Sequence, residues 1–178
     1  MKHDLLTPEG LQLYVQILQR RMRENVERDG FLASVAAVVA RRNPITGEPL
    51  PTAMPMLVPL DEEMQAAQEA ADPQTAKDRV ARTLARFARA CDAHAVIIGM
   101  EAWQKTVMGQ RIGEVIVCTV ETRGDDKGQA YMSYIVRDAD RVTTSDWDSW
   151  PMALQGVRFG GLLRDDYGQA PSKGTIDA

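Results

Sequence analysis

The chain has 178 residues, enough for one domain to bury a core without disulfide or metal staples. Its 44% hydrophobic and 26% charged content excludes a wholly disordered chain, and a formal net charge of −4 supplies no global attraction to nucleic acid or anionic lipid. The only cysteines, Cys91 and Cys118, are too few for a secreted disulfide framework, and each sits in an apolar segment that suits a buried free thiol.

Met1 to Asp4 has neither the apolar run nor the small-residue site of a secretory leader, and no stretch approaches the roughly 18 uncharged apolar residues of a membrane helix. A cytoplasmic location without membrane contact is the expectation. The first helix has a marked start: Thr7 as cap, Pro8 at the first helical position, Glu9 at the positive end of the dipole. Leu11, Tyr14, Val15, Leu18, Met22 and Val26 recur at steps of three and four, and Gly30 supplies the stop. Phe31 to Ala40 reads as a buried strand, followed by turn chemistry at Asn43 to Gly47. Around Ala53 to Val58, Pro51, Pro55 and Pro59 leave two readings, a second strand confined to an edge or an irregular loop.

Asp61 is the expected cap of a short helix through Ala70, and Asp72-Pro73 starts a stronger one reaching Cys91. On the latter, Ala76, Val80, Leu84, Phe87 and Cys91 fall along one side. The hydrophobic period then changes to two. Ala95–Trp103, Ile112–Thr122 and Ala130–Arg137 read as successive strands with short polar connections, which favours antiparallel pairing; Arg141 to Thr144 adds a short fourth. Trp147, Trp150, Met152, Leu154 and Val157 follow in a segment without regular period. The expected architecture is α+β: an antiparallel sheet of four to five strands with two main helices packed on one face. Residues 1–163 form the single domain, and 164–178 a polar, mobile tail.

From His94 onward the chain resembles a pattern of bacterial and phage proteins that have no assigned activity. One strand ends in Glu101-Ala102-Trp103, Arg111-Ile112-Gly113-Glu114 opens the next, and Val136-Arg137-Asp138 closes the third. The likeness spans about a quarter of the chain, and the connection Gln104 to Gln110 is shorter here than in that pattern. It implies a bacterial or phage origin and no catalytic residue.

Four residues are candidates for catalysis. Glu101, Glu114 and Arg137 lie on neighbouring strands, where an ion-pair network fixing strand register competes with an arginine–carboxylate pair beside a free base. His94 follows Asp92 by two residues at a helix-to-strand junction, so a general base competes with a structural histidine. No motif for zinc, for phosphate or dinucleotide binding, or for a serine nucleophile is present, so no metal or cofactor is expected. Arg79, Arg82, Arg86 and Arg89 form a stripe opposite the apolar helix face, open to phosphate or to an acidic protein; the plainer account is a solvated face. Trp147 and Trp150 either complete the core or anchor an interface. These features favour a non-enzymatic interaction or assembly module that takes a protein partner or self-associates. A small hydrolase or metal-dependent enzyme using strand carboxylates, and nucleic-acid binding through the arginine stripe, are the alternatives.

Overall fold

The computed structural model describes residues 4–106, 108–125, 127–153, 159–164 and 167. Helix α1 spans Pro8–Asp29. The Thr7 hydroxyl accepts from the Gly10 amide at 3.1 Å, and Gly30 closes the helix in the left-handed region at φ 81°. Strands β1 (Val35–Arg42) and β2 (Pro49–Pro59) form an antiparallel pair. Helices α2 (Asp61–Glu69) and α3 (Pro73–Ala90) follow, then β3 (Ala95–Lys105), β4 (Arg111–Thr122), β5 (Lys127–Asp138), β6 (Arg141–Thr144) and β7 (Asp148–Ala153). The strand order is β2-β1-β3-β4-β5-β6, with β7 also paired to β5.

Two expectations are corrected. Among the described residues the sheet has seven strands rather than four to five, and the helices cover both faces rather than one; the short helix expected from Asp61 is α2, a third beside the two main ones. Pleating explains the coverage of both faces, because alternate side chains of a strand point to opposite faces. Ala36, Val38, Val96 and Ile98 enter the core beneath α3, whereas Ala37, Val39, Ala95 and Ile97 enter the core beneath α1. The central strands β1 and β3 therefore carry near-continuous apolar runs, as strands covered on both sides do. The extra strand β7 runs through Trp150-Pro151, where proline conceals the period; Pro151 lies opposite Gln129. Leu154 and Val157 fall outside the described residues, as does most of 164–178; Tyr167 packs against the α3-side core.

Short ties hold α1 down. Met22 lies so close over Gly99 that a Cβ there would sit 2.2 Å from Met22 Cε, so any larger residue would force the methionine side chain aside. Arg23 Nε donates to Thr144 Oγ1 at 2.8 Å, and Thr144 N donates to Glu27 Oε1 at 3.1 Å, joining the helix to β6.

β2 forms as an edge strand, the first of the two readings its prolines left open. Pro55 and Pro59 lie opposite Val39 and Val35. Leu60 N donates to Ser34 O at 2.8 Å, while Val39 O accepts from His94 N on the β3 side. The alternate residues thus make the β1–β2 bonds, and the proline nitrogens face away from the sheet. Between them, Leu57 alone has its amide N–H turned outward.

Asp61 does not cap α2; Leu60 holds that position, and Asp61 Oδ1 accepts instead from Ser34 N at 3.3 Å. Asp72 does cap α3, accepting from Thr75 N at 3.2 Å.

Candidate functional site

Glu101, Glu114 and Arg137 converge on the α1 face of the sheet, beyond the end of that helix. The pleat places them there because Glu101 follows Ala95 and Ile97 in parity, Glu114 precedes Ile116, and Arg137 follows Ile135. Arg137 Nε is hydrogen-bonded to Glu114, Nη2 lies 3.9 Å from Glu101 Oε2, and Nη1 donates to the Gly30 carbonyl at 2.5 Å. Glu101 Oε1 accepts from Leu32 N at 2.6 Å. Burial pushes the Glu101 carboxyl above the usual carboxylate range, opposed by the Leu32 amide and then by Arg137. The Arg137–Gly30 and Glu101–Leu32 bonds hold the segment between α1 and β1 to the sheet, the ion pairs tie β5 to β3 and β4, and neither carboxylate stands apart from the guanidinium.

His94 and Asp92 occupy the opposite end of β3. Asp92 adopts φ 47° just past α3. Its carboxylate is engaged by arginines, with Arg41 Nη2 at 2.9 Å, Arg123 Nη2 at 3.7 Å and Arg42 Nε at 4.0 Å. Arg41 Nε and Arg123 Nε also donate to the carbonyls of Asp92 and Ala93, which ties the end of α3 to β1 and β4. Burial, then Arg41 and Arg123, lower the His94 pKa from 6.5, with Asp125 and Asp4 opposing. The fold therefore prefers the neutral ring. This contribution to stability is complete above the unfolded value near 6.5 and falls as pH drops through it toward the lowered folded value. Urea titrations at pH about 7.5 and about 5.5 should show H94N losing less stability on acidification than the parent. Equal losses in both chains would remove His94 from that account.

One buried carboxylate gave no sequence signal. Glu121 on β4 is 4% exposed, and its two oxygens accept from Leu162 N at 2.8 Å and Leu163 N at 2.7 Å. The partners lie about 40 residues later, so no local pattern marks the pairing. Both thiols are buried. That of Cys118 is pushed up to about 12, far from a reactive thiolate. Among the described residues no three His, Cys, Asp or Glu side chains gather as a metal ligand set, and no helix is long and apolar enough to cross a membrane.

Trp147 packs against the α1-side core and borders a cleft with Gln16 and Arg20, while Trp150 on β7 remains 41% exposed. The structure does not bring the two indoles into one site.

No protein-family model, curated protein or solved structure matches the chain.

An apolar concavity lies between α2 and α3. Its volume is about 480 Å³, within the range of ligand and peptide sites. The residues buried by α3 are Ala81, Leu84, Ala85 and Ala88, so the helix is turned relative to the stripe read from sequence. Ala76, Val80 and Phe87 fall on the flank of the buried strip and line the groove with Val58 and Leu60. The facing helix α2 offers Ala66, Ala67 and Ala70, too small to fill the space. At about 100° per residue, Arg79 and Arg86 follow directly on the groove side of α3, with Arg82 and Arg89 further round. None of these four arginines makes a salt bridge among the described residues. Glu63 borders the α2 side.

Proposed function

We propose that the chain is a non-enzymatic interaction module that receives an amphipathic helix of a partner protein in the α2–α3 groove. The α3 groove carries this reading: an open apolar trough with an unpaired cationic flank. Helix-in-groove recognition uses an apolar stripe at steps of three and four for affinity and flanking charges for orientation. The matching partner helix has acidic residues along the edge that meets Arg79 and Arg86. Its apolar residues lie over the alanines of α2, where a backbone can approach closely. The Glu63 side disfavours a second acidic edge, so charge sets the helix's rotation as well as its affinity.

The test uses two synthetic helical peptides with the same leucine stripe, one flanked by Glu and the other by Lys, titrated into the full chain by fluorescence anisotropy. The Glu peptide should bind, and R79E/R86E should weaken it at least tenfold, with binding falling as salt rises. Two peptides that bind alike, or two that do not bind, would defeat the proposal. So would a concentration-dependent dimer that R79E/R86E disperses, which would make a second copy the occupant.

A further inference from the structure

A second cavity, of about 490 Å³, lies across the face of β3 and β4 beyond the start of α3. Its floor is apolar, made by Met64 of α2, Ile98 and Met100 of β3, Val117 of β4, and Phe159. Its rim carries Lys77, Lys105 and Arg111, together with Trp103. Among the described residues the sole carboxylate in the lining is Glu101, whose oxygens are already directed at the Leu32 amide and Arg137 on the other side of β3.

Two observations mark this rim as short of negative charge. Lys105 and Arg111 are cross-strand partners at the end of the β3–β4 ladder, just past a register shift between Gln104 and Lys105, and like charges brought together across a ladder destabilise a sheet. None of the three cations makes a salt bridge among the described residues; Arg111 instead stacks on the Trp103 ring, 4.6 Å from its centroid. An anion seated between Lys105 and Arg111 would relieve the repulsion that the register imposes. An apolar body attached to it would cover the methionines and Phe159.

We infer that this cavity binds a small amphipathic anion: a carboxylate carried on an apolar chain, with the head between Lys105 and Arg111 and the tail on the Met64–Met100–Phe159 floor. The site is separate from the α2–α3 groove and does not depend on what occupies that groove. Lys77, half-buried on α3, closes the third side of the head.

The experiment titrates the full chain by calorimetry with decanoate below its micellar concentration, with decyltrimethylammonium, and with inorganic phosphate. Decanoate should bind saturably and raise the melting temperature, and the other two should not. R111E should weaken decanoate at least tenfold, a loss of about 1.4 kcal/mol or more. K77E, on a different element, provides the same test if the strand variant does not fold. Equal binding of the cationic amphiphile would refute the charge assignment, and equal binding of phosphate would refute the apolar floor. Decanoate binding that survives R111E and K77E but is lost in R79E/R86E would place the ligand in the groove and overturn the inference.

Discussion

Replacing Glu121 by alanine should cost about 3 kcal/mol of stability and release the segment around Leu162 and Leu163 from the sheet. The carboxylate is the acceptor for both of those amides, and buried donors left without a partner cost about 1–3 kcal/mol each. Part of this cost is offset because burial already penalises the ionised group, raising its pKa against the pull of the amides at Leu163, Leu162 and Gly161. E121Q should lie between, since one of its two positions becomes a donor facing a donor. Urea unfolding supplies the energies. Hydrogen exchange at Leu162 and Leu163 supplies the location, and both amides should exchange much faster in E121A. Unchanged exchange there would mean that the segment is held by its leucines alone. The pH dependence has a defined sign. Glu121 holds its proton more tightly folded than unfolded, so its contribution is greatest in acid. That contribution falls as pH rises from the ordinary carboxylate value of 4.5 through the raised folded value. E121Q should lack this slope.

The second large effect concerns two adjacent isoleucines. Ile97 and Ile98 are 1% and 2% exposed, yet they point to opposite sides of the sheet, one beneath α1 and the other beneath α3. I97A and I98A should each destabilise by about 3–4 kcal/mol, the sum of lost transfer energy and the cavity left behind. A sheet covered on one face would give one costly and one mild substitution. Thermal or urea unfolding of the two variants therefore measures directly whether both layers are packed, and a cost below about 1 kcal/mol at either position would contradict the three-layer arrangement.

These two residues also show where sequence reading stops. The ends of α1 are legible because Thr7, Pro8 and Gly30 each have a local reason to be where they are. The edge position of β2 is legible because proline lacks a donor. Convergence of Glu101, Glu114 and Arg137 could be anticipated from strand parity, but not the attachment to Gly30 and Leu32 that accounts for it. Which faces are covered could not be read, since Val96-Ile97-Ile98 suits a strand buried on either side or both. Glu121 looks like an outward residue in an alternating strand until the chain returns with its amides. The groove depends on a rotation of α3 that puts Phe87 beside the buried strip rather than within it, a choice made by packing Ala81, Ala85 and Ala88 tightly on the sheet.

The outer rim of β2 has a consequence for how this chain meets other molecules. An incoming backbone would find one amide, that of Leu57, across the stretch from Pro55 to Pro59, and so could not extend the sheet by templated growth. Crowding such chains together does not seed fibres from this margin. On this side of the molecule recognition is left to side chains, where one substitution can change the choice of companion while the scaffold beneath stays as it is.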